Sequence, residues 1–295
     1  MLRKTCLLST WAWLAVASLS LAANPSLKAL IVDGQNNHNW KATTPVLTKI
    51  LEDTGLFKVD VATSPGKGQD NSDFQPKFSD YDVVVSNYNG QMWSKDTQKA
   101  FVDYVKGGGG VLVVHAANNA FTGWPEYNEM IGLGWRNNKF GERLTLDDGG
   151  KKVRTPKGEG PGAGHGPQHD FQVVIRDPEH AIMQGLPQAF MHAKDELYHG
   201  QRGPALNMHV LATAYSAADK RGTGSHEPMV WIIPHGKGHV ITNVMGHSDY
   251  SMTCSGFQTI LQRSAEWAAT GKVKETAKIP ADFPKADAVT VRPKK

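Results

Sequence analysis

Cysteine is almost absent from this chain: Cys6 and Cys254 are the only two in 295 residues. The first lies in an N-terminal segment that reads as a leader, so the body keeps one thiol and no intramolecular disulfide. Its stability must come from an ordinary packed core. A lone Cys254 reads as a small buried hydrophobe before it reads as a nucleophile. Long apolar runs are also missing after the N-terminus, which leaves no stretch of the ~20 residues that a spanning helix needs. Charge of one sign is missing too. The net charge is +4, and much of the excess sits at the ends, in Arg3, Lys4, Arg292, Lys294 and Lys295. A near-neutral body carries no nucleic-acid footprint. His-Glu-x-x-His, Cys-x-x-Cys, the phosphate-binding Gly-x-x-x-x-Gly-Lys loop and the Gly-x-Ser-x-Gly elbow are all absent, so no familiar metal, nucleotide or serine-hydrolase motif is available.

The N-terminus has a pattern of its own. Arg3 and Lys4 precede a mostly apolar Leu7–Leu21, and Ser20-Leu-Ala22 is a small-x-small triplet. Residues 1–22 therefore read as a secretory signal peptide, and the expected location is periplasmic or secreted. An uncleaved N-terminal anchor is the alternative.

Strands and helices then alternate. Lys28–Val32 is a β-prone apolar run. Thr44, as an N-cap with Pro45 in the first helical position, would open a helix with Val46, Leu47, Ile50 and Leu51 on one face. Phe57–Val61 and Tyr81–Val85 read as further strands. Ser94 caps a helix through Lys106, and Val111–Val114 follow as a strand. Such alternation implies βαβ units and a parallel sheet. From Phe140 to Pro187 the composition turns to Gly, Pro and Lys, and Leu144, Leu146 and Phe171–Ile175 suggest an antiparallel excursion. His209–Thr213, Met229–Ile233 and His239–Asn243 are later strands, and Ser255 opens a final helix. Residues 27–271 form the expected domain, with 272–295 as a loosely ordered basic tail.

What the chain has in quantity is histidine, twelve in all. The most informative stretch is Gly107-Gly-Gly-Gly-Val-Leu-Val-Val-His115-Ala-Ala-Asn118. Four consecutive apolar residues read as a strand buried on both faces, and ligands of open α/β sheets bind beyond the carboxyl ends of such strands. His115 stands at that end, with Asn118 beside it. His38 and Trp40 follow the first strand, Asn87 and Tyr88 the third, and His247 the last. With Glu196 they could converge along one sheet edge. Imidazoles plus a carboxylate suit a divalent metal or general acid/base work. A structural histidine bonded to a loop carbonyl is the plain alternative for each. His165 reads as a solvated loop residue, and His192, His209, His226, His235 and His239 as surface or turn residues.

Several segments resemble the ThuA-like (trehalose utilisation) family: Leu30-Ile-Val-Asp-Gly-Gln-Asn-Asn-His38-Asn-Trp40, Phe101 through Ala117, Arg176-Asp-Pro-Glu-His180 with Gly185-Leu-Pro187, Asp195-Glu-Leu-Tyr198, Pro228-Met-Val-Trp231, Gly236-Lys-Gly-His-Val240 and Gly246-His247. The resemblance implies a flavodoxin-like α/β fold of the class I glutamine amidotransferase type. In that fold the strand before His115 leads to the nucleophile elbow, where His115-Ala116 replaces the cysteine a glutaminase needs. It also implies a small-molecule carbohydrate substrate, a disaccharide or an oxidised (3-keto) glycoside. On this reading His115, Glu196 and His247 are catalytic. His38, Trp40, Asn87, Tyr88, Asn118, Trp124 and Tyr198 bind substrate, the aromatic rings stacking on sugar faces. His38, His115, Glu196 and His247 are the candidate ligands of a divalent metal such as zinc. No other cofactor and no nucleic-acid partner is expected, and a homo-oligomer is compatible with the chain. A non-catalytic sugar-binding or scaffold protein and a metal hydrolase of another substrate are the competing readings.

Overall fold

The computed structural model describes residues 26–293, so the leader reading lies outside the described residues. Along the chain run β1 (Leu27–Asp33), α1 (Trp40–Glu52), β2 (Phe57–Thr63), β3 (Val83–Ser86), α2 (Lys95–Gly107), β4 (Gly110–Val114) and α3 (Pro125–Ile131). There follow β5 (Arg143–Leu146), β6 (Lys152–Thr155), β7 (Gly164–His165), β8 (His169–Ile175), β9 (Ala189–Asp195), β10 (Tyr198–His199), β11 (His209–Ser216), β12 (Ser225–His235), β13 (Gly238–Asn243) and α4 (Ser255–Thr270).

One sheet organises the molecule, in the order β2-β1-β3-β4-β13-β12-β11-β8-β9, with β5 and β6 branching from β12. The first five are parallel to one another. From β12 onward each pairing is antiparallel. The fold is α/β with a flavodoxin-like parallel half. The expected antiparallel excursion continues the same sheet.

Alternation along the parallel strands explains their continuous apolar character. Ala29, Ile31, Val83, Val85, Leu112 and Val114 face one core with Leu47, Ile50 and Leu51 of α1 and Phe257, Ile260 and Leu261 of α4. Leu30, Val32, Val84, Val111 and Val113 face the other, with Phe101 and Val105 of α2 and Met130 and Ile131 of α3. Helices on both faces leave no solvated side to the inner strands, so Val83–Val85 and Val111–Val114 are apolar without a break.

Two expectations need correction. α1 begins four residues before Thr44: Asn39 is its N-cap and accepts from the Ala42 N–H at 3.3 Å, and Pro45 lies inside the helix. Thr44 instead donates its hydroxyl to Asp33 Oδ2 at 2.7 Å, so its side chain is spent on tying the helix to β1. The segment after Gly271 is not loose either. Its Ile279, Phe283 and Val289 pack on the core, and its Thr290 carbonyl accepts from the Ser255 N–H at 3.0 Å. Basic composition hid those three apolar contacts. No helix among the described residues is long and apolar enough to cross a membrane.

Candidate active site

The register places the carboxyl ends of the parallel strands side by side. Ser86 pairs with Val113 and Val114 with Asn243, so the loops after β1, β3, β4 and β13 open on one edge. His115 is the first residue past β4 and has a φ of 45°. A non-glycine residue in the left-handed region is strained, and that turn points the imidazole into the crevice instead of along the strand.

Four side chains meet there. One ligand atom from each of His38, His115, Glu196 and His247 lies within 4.8 Å of the others. Glu196 Oε2 is 3.6 Å from His115 Nε2 and 3.1 Å from His247 Nδ1. Ring centroids of His38 lie 4.9 Å from His115 and 4.4 Å from His247. His115 Nδ1 is 2.7 Å from the Val244 carbonyl. A carbonyl only accepts, so Nδ1 carries the proton and donates it. Nε2 then faces the cluster, and this buried atom has no hydrogen-bond partner.

Electrostatics follow from the crowding. Burial, then the neighbouring His115 and His247, push His38 down to about 4, so it is neutral near pH 7. Burial would raise Glu196, but the two imidazoles His115 and His247 outweigh it and hold the carboxyl well below its ordinary range. The Glu196 carboxylate in turn raises His247.

Beneath the cluster Asp195 is fully buried. It accepts from the N–H groups of Gly246 at 2.7 Å, His247 at 3.1 Å and Glu196 at 2.7 Å. His192 Nε2 reaches its other side at 2.7 Å. Burial disfavours a charged His192, yet the Cys254 sulfur and the Asp195 carboxylate outweigh that and raise it. His192 was expected at the surface and is instead wholly buried, because β9 packs against α4.

The remaining expected site residues separate into two groups. Tyr198 stays with the cluster, its hydroxyl 3.3 Å from His38 Nε2 and its ring 4.3 Å from that of His115. Trp40 stays near it, at the start of α1. Tyr88 and Trp124 do not: both are buried in an aromatic core with Trp93 and Phe121, and neither offers a free face to a sugar. Asn87 is buried and donates to the Thr43 and Thr44 hydroxyls, tying β3 to α1. Asn118 is fully buried and donates to Gln201 Oε1 at 2.5 Å. The Asn118 Oδ1 is buried without a partner.

Two residues at the site carry no sequence signal. His165, expected to be solvated, lies with Nε2 3.6 Å from Glu196 Oε1, because the two-residue strand β7 pairs with β10 and sets His165 opposite Tyr198. The Gln168 side-chain amide hydrogen-bonds His247 Nε2 at 2.9 Å. Each depends on a long-range pairing that local pattern does not reveal.

Fold and site together define an amidotransferase-like α/β protein whose elbow carries histidine and whose crevice gathers imidazoles around one carboxylate. The chain belongs to the ThuA family, described as trehalose utilisation, whose profile matches residues 28–268. A ThuA-like protein from Parabacteroides merdae is 43% identical, with a TM-score of 0.86 over 91% of this chain and 98% of that one. Another from Bacteroides uniformis is 21% identical, with a TM-score of 0.56 over 89% and 100%; at that identity it shows the fold alone. The same holds for Agd3, a carbohydrate deacetylase, at 12% identity and a TM-score of 0.51, over 83% of this chain and 33% of that one. A search of the curated proteins found no match.

Proposed function

We propose that this ThuA-family protein is a carbohydrate-processing enzyme whose His38, His115, Glu196 and His247 hold a divalent metal such as zinc, and that it acts on a disaccharide or an oxidised (3-keto) glycoside. One observation carries the metal assignment: four ligand atoms within 4.8 Å, among them the Nε2 of the buried His115, which has no hydrogen-bond partner. Three imidazoles and one carboxylate are a zinc-type donor set. His115 also has the outer-sphere anchor such ligands use, its Nδ1–H on a backbone carbonyl. A bound ion would supply Lewis-acid polarisation of a substrate oxygen.

The chain's own groups do the rest. Asp195 holds the Gly246–His247 backbone in place. His165 stands on the solvent side of Glu196, about a third exposed, where it can pass a proton to a leaving oxygen. Tyr198 fixes His38. The chemistry is not that of a glutaminase: a thioester route needs a thiolate at the elbow, and Cys254 is buried behind His192. Export is part of the proposal and rests on residues 1–22. Edman sequencing of protein recovered from the periplasm or medium would begin after Ala22, and a chain retaining Met1 would overturn that part.

The test is elemental analysis and turnover on the same preparations. Protein purified with zinc should carry about one ion per chain, and His115→Ala and His247→Ala should lose it together with activity toward 3-keto glycosides or disaccharides. Wild type without metal and without turnover on that panel would overturn the reading.

A further inference from the structure

Next to the cluster, the loops after β1 and β3 enclose a cleft of about 490 Å³, inside the roughly 300–1,000 Å³ range of small-molecule sites. Side-chain amides form most of its wall: Gln35, Asn36, Asn37, Asn89 and Gln91, with the Trp40 indole among them. Lys67 is the one charged residue in the lining, and no carboxylate is present there.

The wall is rigid before any ligand arrives. Asn89 N–H donates to the Gln35 carbonyl at 2.8 Å, and Gln91 N–H donates to Gln35 Oε1 at 2.9 Å. The Asn89 side-chain amide donates to Asn37 Oδ1. Gly90 lets the loops close, since a Cβ there would come within 2.4 Å of Gln35 Cβ. Such stitching lowers the ordering cost of binding. The cleft also adjoins the histidines: Asn37 Nδ2 lies 3.3 Å from His38 Nε2.

This lining selects a chemical class. An amide both donates and accepts, as a hydroxyl group does, whereas a carboxylate only accepts and an ammonium only donates. One lysine and no arginine cannot form the bidentate fork or cation cluster that phosphate recognition uses. The indole offers flat apolar area to the C–H face of a pyranose ring. A neutral polyhydroxylated ring is the ligand that satisfies all of these surfaces.

We propose that this amide cleft binds a neutral sugar ring adjoining the ring that reacts at the histidine–carboxylate cluster. The substrate is then an uncharged disaccharide or longer glycoside, and not a monosaccharide or a sugar phosphate. Only the phrase "ring that reacts" rests on the enzyme reading above, so the test reads binding separately from turnover.

Titration calorimetry on the full zinc-loaded chain would compare trehalose, sucrose and cellobiose with glucose and glucose 6-phosphate. At least one disaccharide should bind more tightly than both single-ring probes. Asn89→Ala and Trp40→Ala should each weaken that affinity at least about fivefold, as expected for the loss of one good contact. Trp40 opens a helix, so the loop variant Asn89→Ala keeps the test valid if Trp40→Ala misfolds. Turnover is read separately, in His115→Ala, which should abolish it. No disaccharide binding, tighter binding of glucose 6-phosphate, or an unchanged affinity in folded Asn89→Ala would each overturn the proposal. Disaccharide binding that depends on Asn89 in a protein without metal or turnover would instead sink the enzyme reading and keep the cleft.

Discussion

Asp195 has no solvent exposure, yet the backbone on both sides of the cluster hangs from it. Its carboxylate takes the N–H groups of Glu196, Gly246 and His247 and the ring of His192. An amide in its place would turn one acceptor oxygen into a donor facing donors. Asp195→Asn should therefore shift the Gly246–His247 backbone and lower zinc affinity by about ten- to a hundredfold, the scale of lost outer-sphere partners. Competition with a chromogenic chelator measures it, and near-ultraviolet dichroism confirms that the variant is folded. A folded variant that keeps wild-type zinc affinity would remove Asp195 from a positioning role. Trp124 and Tyr88 teach a different lesson at this scale. Sequence order places an aromatic residue near a crevice without saying which side of the wall it faces, because the same ring serves a core and a sugar face.

Among the elements, the C-terminal segment shows how a polar sequence is held. The Glu266 carboxylate on α4 accepts from the N–H groups of Lys274, Glu275 and Thr276 and from the Thr276 hydroxyl. Burial alone would raise Glu266, but those hydrogen bonds outweigh it and hold the carboxyl below its ordinary value. A depressed folded-state value means that the latch is at full strength above the ordinary carboxylate range, around pH 4.3, and is lost as pH falls through the lower folded value. Amides 274–276 should keep high hydrogen-exchange protection factors near neutrality and lose them in acid. Glu266→Gln should show low protection at both. Equal protection in wild type and variant near neutrality would rule the latch out. The α1 boundary belongs at this scale too. Asn39 and Thr44 are both good caps, and the choice fell to Asn39 because the Thr44 hydroxyl is engaged by Asp33.

For the whole molecule, the parallel and antiparallel halves are one sheet, joined through β12. Trp231 on that strand is fully buried, and its indole N–H donates to the Ile131 carbonyl at 2.8 Å. Trp231→Ala should cost about 3–5 kcal/mol, as large aromatic truncations in cores do, and denaturant titration would show it. A loss below about 1 kcal/mol, the level of an ordinary substitution, would mean that the join is not where stability is concentrated. β9 is the last strand of the sheet, yet it packs on α4 and delivers Asp195 and Glu196 to the edge formed by β4 and β13.

Much of this was written locally in the chain. Two-sided apolar strands, the Ser94 helix cap and the glycine turn before β4 follow from periodicity and capping, which act over a few residues. Because parallel strands align their carboxyl ends, His38, His115 and His247 could be assigned to one edge from order alone. What tertiary structure decided was distance and partnership between remote segments. The pairing of β7 with β10 brought His165 to Glu196, the packing of β9 on α4 buried His192 and set Asp195 under the cluster, and the meeting of two loops made the amide cleft. Those contacts join residues tens of positions apart, and no local preference encodes them; they exist because burying the last strands and the C-terminal segment on a shared core forces these side chains together.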